Sequence, residues 1–262
     1  MSINLLILGY SLICNRENMN LHLSTLQPKR VRHELRMREL EVINVQRISK
    51  NFISVTFTGP DFADFTSLSF DDHIKVMFTP AEGEQIRRDY TPRAFDVEKL
   101  ELTIEFALHD GGYASDWAQQ AAIGQRLVIG GPRGSMIVPM NYDWHILIGD
   151  PTALPAISRR VEELPAGAQV IVLAQVDDTD DIRAFDTAAD LDIEWISASD
   201  ELLLVVKSLT LPAGTGYIWC AGEANVMAEI KQILIKDKNH PSKDVSVASY
   251  WKKGFSDFHE HL

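Results

Sequence analysis

The sequence Arg88-Asp89-Tyr90-Thr91-Pro92-Arg93 follows a short run with the pattern of a β-strand and combines one aromatic ring with two arginines. A tyrosine ring can stack on a planar group, and guanidinium groups can pair with phosphate oxygens. Thr91 adds a hydroxyl beside the ring. These residues predict a site for a planar, diphosphate-bearing cofactor, although a surface strand with a buried tyrosine and solvated arginines explains the hexapeptide equally well.

Residues 41–138, which surround this hexapeptide, are dominated by short runs in which apolar and polar residues alternate, with turn residues between them. One stretch, residues 113–124, has the pattern of a helix, with Ser115 as its N-cap and Gly124 at its end. About six strands and one helix predict a small, six-stranded antiparallel β-barrel.

After Pro139 the pattern changes to strands that alternate with amphipathic helices. Apolar runs such as Val170–Val176 are typical of parallel strands covered by helices on both faces. The sequence therefore predicts three parts: a leader at residues 1–28, a β-barrel domain at 29–140 and an α/β parallel-sheet domain at 141–262.

The composition excludes several classes of protein. The chain carries 25 basic and 37 acidic residues, a net charge of −12, which disfavours nucleic-acid binding. Cys14 and Cys220 lie far apart, so neither a disulfide framework nor a zinc site is predicted. The apolar run at residues 3–14 is too short to span a bilayer and lacks the flanks of a signal peptide. We expect a monomeric, cytoplasmic protein without membrane insertion. An alternative start at Met19 would remove the apolar run and leave residues 1–18 outside the functional protein.

A second candidate element is His109–Ala118, which combines a strand end, a glycine-rich turn and a helix start. Backbone amides at a helix N-terminus favour an anion, and the small residues Ala114 and Ser115 allow close approach of a diphosphate. A tight turn with Trp117 in the core is the simpler interpretation of this stretch taken alone.

Four motifs follow one another along the chain: RDYTPR at 88–93, HDGGYASDWA at 109–118 with GPRGS at 131–135, GDPTALPAI at 149–157, and YWKKG at 250–254. In residue type and order they resemble the motifs of the siderophore-interacting proteins. These are flavin-dependent ferric-siderophore reductases of the ferredoxin-NADP reductase superfamily. The resemblance spans residues 30–257 and implies an FAD-binding β-barrel followed by an α/β nucleotide-binding domain.

The resemblance also implies roles for individual residues. Tyr90 would lie against the isoalloxazine ring of FAD, with Arg88 and Thr91 also holding the cofactor and Arg93 in the same motif. The diphosphate and adenine side would be lined by His109, Ala114, Ser115 and Trp117. Two departures change backbone freedom: the family's Gly-Pro is Gly112-Tyr113 here, and the variable position of the tyrosine motif is Pro92.

In the second domain, Gly149–Ala156 lies between a strand and a helix, where open α/β sheets bind ligands. Asp150 and Thr152 are candidates either for contact with a nicotinamide nucleotide or for capping the helix. The acidic run Asp177–Asp181 disfavours the 2′-phosphate of NADPH, whereas Arg183 would favour it. NADH, NADPH and a ferredoxin therefore all stay open as electron donors.

An anionic ferric siderophore requires a basic surface beside the flavin. The candidate substrate-binding residues are Lys75, Arg133, Lys252 and Lys253. No metal site is predicted, because His259, Glu260 and His261 have the pattern of a polar tail.

Two alternatives accompany the reductase hypothesis. One is another flavin reductase of the same superfamily, serving an oxygenase or free flavin. The other is a non-catalytic protein that binds a siderophore or a flavin.

Overall fold

The computed structural model describes residues 26–80, 82–255 and 260–261. The predictions for the leader at residues 1–18, for Met19 and Cys14, and for His259 lie outside the described residues. Leu26 is buried at 3% exposure, and its carbonyl accepts a hydrogen bond from the Tyr142 hydroxyl at 3.1 Å. The described chain therefore packs into the fold from its first residue.

The N-terminal half forms a seven-stranded antiparallel sheet in the order β5-β4-β8-β2-β3-β7-β6. Its strands are β2 (Met37–Ser49), β3 (Phe52–Thr58), β4 (Ile74–Phe78), β5 (Ile86–Tyr90), β6 (Ala94–Asp96), β7 (Glu101–Ala107) and β8 (Arg126–Gly130). A separate antiparallel ribbon pairs β1 (Lys29–Arg32) with β9 (Gly134–Ile137). Helix α1 spans Tyr113–Gln119.

The predicted antiparallel N-terminal fold is confirmed, with seven strands in the sheet rather than six. The run RDYTPRAF is divided, because β5 ends at Tyr90 and β6 begins at Ala94. Pro92 lies between them and has no N–H to donate to a ladder. Helix α1 is also shorter than predicted and ends at Gln119.

The second half forms a six-stranded sheet in the order β12-β11-β10-β13-β14-β15. Its strands are β10 (Trp144–Gly149), β11 (Gln169–Gln175), β12 (Asp190–Ile196), β13 (Gly216–Glu223), β14 (Val245–Trp251) and β15 (Glu260–His261). All pairs are parallel except β14 with β15. The helices are α2 (Leu154–Glu163), α3 (Ser199–Ser208) and α4 (Ala224–Gln232), which continues into a π-helical turn at Ile233–Asp237.

The predicted parallel sheet is confirmed, and its central strands are buried throughout. All residues of β10 and β13 are buried, because helices cover both faces of the sheet. Phe52 and Phe70 of the antiparallel half lie in the same core cluster as Leu147 and Ile157 of the parallel half. Burial of one such phenylalanine contributes about 1.5–3 kcal/mol. The two halves therefore share a continuous core.

Candidate functional site

Strand β5 places RDYTPR at one edge of the antiparallel sheet. Tyr90 lies opposite Ile74, and Arg88 lies opposite Val76. Directly opposed residues point to the same face, so both motif side chains share the face of these buried partners. The half-buried ring of Tyr90 packs 4.5 Å from the ring of Phe106. Burial raises the pKa of the Tyr90 hydroxyl, so the phenol keeps its proton at neutral pH.

The other residues of this strand pair project to the outer face. Lys75 lies directly opposite Asp89, and its Nζ is 2.9 Å from the Asp89 carboxylate. Lys75 also lies opposite Gly130, the last residue of β8 and the residue before the GPRGS turn. The predicted substrate residue Lys75 is thus ion-paired with the aspartate of the flavin motif, close to the turn that carries Arg133.

The second half of RDYTPR contacts the parallel domain. Thr91 is buried at 7% exposure and lies close enough to the Tyr250 hydroxyl of the YWKKG motif to act on its pKa. The carbonyl of Pro92 accepts a hydrogen bond from Arg159 of α2 at 3.2 Å. The structure therefore brings the first and last motifs of the sequence together across the domain junction.

Arg93 lies away from this contact. Its guanidinium pairs with Glu105 at 3.1 Å and with Glu162 of α2 at 2.6 Å. Glu105 lies on β7 and Glu162 lies on α2. The two ion pairs of Arg93 therefore link β7 to the second domain. The hexapeptide thus has two halves. Arg88 and Tyr90 lie on the sheet edge, whereas Arg93 joins the two domains.

The glycine-rich turn before α1 holds the second predicted group. The N-cap is Gly112 without a side-chain hydrogen bond, so the prediction of Ser115 as the cap is wrong. Ser115 is instead buried, and its Oγ accepts a hydrogen bond from the backbone N–H of His109 at 3.0 Å. A Cβ at Gly112 would lie 2.2 Å from the His109 ring, so any larger residue at this position would displace that ring.

Trp117 packs among aromatic rings of the antiparallel half. Its ring lies 5.3 Å from that of Phe78 and 5.7 Å from that of Phe106. Phe106 also contacts Tyr90, so one phenylalanine joins the turn motif to the tyrosine motif. Ala114 is buried beside them at 6% exposure.

Asp150 is the hydrogen-bonding centre of the second domain's loops. Its Oδ1 accepts from the N–H and the hydroxyl of Thr152 at 2.9 and 2.5 Å. Its Oδ2 accepts from the N–H of Glu223 at 2.9 Å and from Nε1 of Trp251 at 2.7 Å. Asp150 therefore caps the turn after β10, with Thr152 as its donor, and it also joins this turn to the ends of β13 and β14.

The YWKKG segment is anchored to the same loops. The backbone N–H of Lys253 donates to Glu223 at 3.2 Å, and Glu223 also accepts from the N–H groups of Asn225 and Val226 at the start of α4. Lys252 lies 5.1 Å from the ring of Phe255. The two lysines thus lie in a segment at the carboxyl end of β14 whose backbone is held by hydrogen bonds.

Arg133 occupies the turn between β8 and β9. Its side chain is exposed, and its carbonyl accepts from the N–H of His33 at 2.9 Å. Within residues 26–80, 82–255 and 260–261, neither Arg133 nor Lys253 has a side-chain ion-pair partner. The structure therefore places Lys75 and Arg133 on the antiparallel half, and Lys252 and Lys253 on the parallel half.

The residues at the junction fit an FAD. The ring of Tyr90 is half-buried and supported from behind by Phe106, as a platform for a flat ring requires. Arg88 supplies a cation on the same strand face, and the small side chain of Ala114 leaves room at the start of α1. The hydroxyl of Thr91 adds a hydrogen-bonding group at the domain junction.

The comparisons with known proteins agree with this arrangement. The model for "Siderophore-interacting protein" matches residues 142–254. The model for "Siderophore-interacting FAD-binding domain" matches residues 41–86 and 79–136. An NADPH-dependent ferric-chelate reductase of Escherichia coli is 35% identical, over 86% of this chain and 96% of its own length. The chain belongs to the siderophore-interacting protein family.

Two further relatives support the same assignment. The ferric vibriobactin reductase of Vibrio cholerae is 29% identical, over 85% of this chain and 93% of its own length. The crystal structure of a siderophore utilization protein from T. fusca superposes with a TM-score of 0.83 at 33% identity, covering 88% of this chain and 98% of that one. This siderophore-interacting protein therefore has the two-domain fold of its family, with an FAD-binding domain.

The junction also uses residues outside the set of predicted site residues. Glu223 and Arg159 hold the motifs in place from distant parts of the chain. Glu223 caps α4 but had no strong local signal, because glutamate is not among the residue types that favour an N-cap. Arg159 had none, since its contacts with Pro92 and Ser67 depend on tertiary packing.

In the part of the chain that the structure describes, no helix is long and apolar enough to cross a membrane. The same residues contain no group of three or more His, Cys, Asp or Glu side chains arranged to hold a metal ion.

Proposed function

We propose that this siderophore-interacting protein is a flavin-dependent ferric-siderophore reductase of the cytoplasm. It uses electrons from NAD(P)H or a ferredoxin to reduce an Fe(III)-siderophore and release Fe(II). The observation that carries the proposal is the hydrogen bond that Arg159 of α2 donates to the Pro92 carbonyl of RDYTPR at 3.2 Å. That contact unites the predicted flavin platform with the parallel domain in a chain 35% identical to a ferric-chelate reductase.

The proposal assigns the described domains and site residues as follows. Residues 29–140 bind the FAD and residues 141–262 face the electron donor. Arg88, Tyr90 and Thr91 hold the flavin end, while His109, Ala114, Ser115 and Trp117 form the diphosphate and adenine side. Three of the predicted cofactor-binding residues position their neighbours instead of contacting the cofactor, because their polar groups already bond to other groups of the protein. These residues are Arg93, Asp150 and Thr152.

When bound, FAD takes two electrons as a hydride and passes them on one at a time. The chain itself provides positioning. Tyr90 supports one face of the flavin ring and keeps its phenolic proton, since burial raises its pKa. Asp150 holds the Trp251 indole through Nε1 and so fixes the segment that carries the two lysines. Proton transfer by a paired acid and base is not required for electron transfer to iron.

The substrate side is a basic rim formed by Lys75, Arg133, Lys252 and Lys253. Local positive charge attracts an anionic chelate to a protein whose net charge is −12. Oxygen donors of a siderophore hold Fe(III) more tightly than Fe(II), so reduction of the iron releases it from the intact chelator.

A charge-reversal experiment tests the rim. The double variant Lys252→Glu with Lys253→Glu should lower kcat/KM for an anionic ferric siderophore by about tenfold or more, with little effect on a neutral quinone acceptor. The matched control is Lys236→Glu with Lys243→Glu, which makes the same change of net charge at exposed positions away from the carboxyl end of β14. Equal losses with both acceptors, or in both double variants, would contradict the proposed rim.

A further inference from the structure

The carboxyl ends of the parallel strands define where a nucleotide donor binds under the proposed function. Strand β10 lies between β11 and β13, so the chain leaves β10 on one side and returns on the other. Open α/β sheets bind ligands at such a switch point, and the residue after the second strand faces the ribose 2′ position. In this chain the second strand is β11, and the loop after it begins at Val176.

The loops after β11 and β12 are both acidic. Asp177, Asp178, Asp180 and Asp181 follow β11, and Asp200 and Glu201 lie in the first turn of α3 after β12. Ser199 Oγ lies 3.0 Å from Gln175 Oε1, which brings the two loops side by side. Asp177, Asp180 and Asp200 are exposed, whereas Asp181 is buried and accepts hydrogen bonds from Ser49 and Asn51.

The cations beside these loops are already paired with protein carboxylates. Lys50 Nζ lies 2.5 Å from Asp178. Arg183 Nη1 lies 2.5 Å from Glu105, and its guanidinium lies 4.5 Å from the centre of the Phe52 ring. Arg183 is only 17% exposed. To pair with a 2′-phosphate, this arginine would have to leave a buried carboxylate and an aromatic ring.

We propose that this arrangement makes NADH, rather than NADPH, the nicotinamide donor, and that Asp177 is the specificity-determining residue. Its exposed carboxylate accepts a hydrogen bond from a ribose hydroxyl. A 2′-phosphate carries nearly two negative charges at neutral pH and is repelled by the two acidic loops. Arg183 does not offset this repulsion, because its guanidinium is paired with Glu105 and packed on the Phe52 ring. This inference rests on the proposed function and selects one donor class for it.

The first test compares the two donors with the wild-type holoprotein. Rapid anaerobic mixing should give a kcat/KM for flavin reduction that is at least about tenfold higher with NADH than with NADPH. Calorimetric titration provides a readout that does not depend on turnover, and 5′-AMP should bind more tightly than 2′-phospho-5′-AMP. Equal use of both donors, a preference for NADPH, or reduction by neither overturns the inference.

The second test changes the charge at the discriminating position. Asp177→Arg should reduce the preference for NADH about tenfold and tighten binding of 2′-phospho-5′-AMP. The matched control is Asp192→Arg, an equal charge change at an exposed position in the interior of β12, which should leave the preference unchanged. Equal shifts in both variants would show a general charge effect and contradict a role for Asp177. A wild-type preference for NADPH that disappears in Arg183→Gln would likewise contradict it.

The donor experiment and the proposed function fail separately. Protein whose flavin has been reduced by dithionite, freed of excess reductant and mixed with a ferric siderophore tests iron reduction without a nucleotide. Trapping of Fe(II) in that experiment, combined with a preference for NADPH, would remove the donor inference and leave the reductase proposal intact.

Discussion

The two domains meet at two junctions that use their charged residues differently. At the junction of Glu105, here termed the ionic junction, one buried carboxylate pairs with Arg93 and Arg183. At the other, here termed the motif junction, RDYTPR lies beside YWKKG, and on the second domain's side the buried carboxylate of Asp150 accepts from a hydroxyl, an indole and two backbone N–H groups. The ionic junction thus engages its cations with protein carboxylates, whereas Asp150 is held by uncharged donors.

This difference indicates which junction carries function. Cations bound to protein carboxylates hold the domains together. At the motif junction, Lys253 has no side-chain ion pair within the described ranges, and the Tyr90 ring is half-buried. We therefore expect substitutions at the ionic junction to change stability, and substitutions around the motif junction to change binding.

The largest expected effect is that of Glu105→Ala at the ionic junction. Removal of this carboxylate leaves two largely buried arginines without their shared partner, which should lower the free energy of unfolding by about 3 kcal/mol. Chemical denaturation of the apoprotein measures this loss. Glu101→Ala, on the same strand, is the control and should cost far less. A Glu105→Ala protein as stable as the wild type would show that the ionic junction does not hold the domains together.

The two arginines of RDYTPR provide a comparison within one motif. Arg88→Gln should weaken FAD binding about tenfold or more, equivalent to about 1.4 kcal/mol, with a small change in apoprotein stability. Arg93→Gln should do the opposite, because its guanidinium bonds Glu105 and Glu162. Flavin fluorescence titration and denaturation of both variants separate the outcomes. The same profile for both arginines would contradict the division of the motif.

A smaller, pH-dependent effect is expected at His145, which is fully buried in β10. Burial, with a contribution from the nearby Arg160, lowers the pKa of His145 to about 4, below the ordinary value near 6.5. The unfolded chain therefore binds a proton that the folded chain excludes, and stability is lost as the pH falls from about 6.5 towards 4, by at most about 1.4 kcal/mol per pH unit. The difference between wild type and His145→Gln isolates this contribution. Parallel stability curves for the two proteins over that range would refute it.

The smallest expected effect is that of Lys50→Ala. Lys50 contacts Asp178 at 2.5 Å, but its side chain is 63% exposed, and exposed ion pairs contribute little. The denaturation midpoint should not change measurably. A marked loss of stability would show that the ionic junction extends to this surface pair.

Much of the fold was predictable from the sequence because local patterns set it. Alternation of apolar residues gave the antiparallel half, and apolar runs such as Val170–Val176 gave the parallel sheet. The number of strands was less accessible, since Pro92 divides a run that has strand character on both sides. The predicted N-cap of α1 was wrong. Serine is a residue type that often caps helices, but the Oγ of Ser115 accepts a hydrogen bond from the N–H of His109.

The candidate site was predictable in its motifs but not in its connections. The four motifs contain the candidate site residues. Arg88 and Arg93, however, belong to the same motif and have different partners in the structure. The partners of Arg93 are Glu105 and Glu162, which are 12 and 69 positions away. Such long-range pairing depends on how the domains dock, which no local pattern records.

The most direct test of the central claim is an anaerobic spectroscopic titration of the purified holoprotein. The protein should show the absorbance bands of oxidised flavin, which bleach on addition of NADH. Addition of a ferric siderophore should then restore these bands, with one Fe(II) captured by a ferrous trap for each electron released. A colourless protein that binds no added FAD, or a reduced flavin that no ferric siderophore reoxidises, would contradict the account.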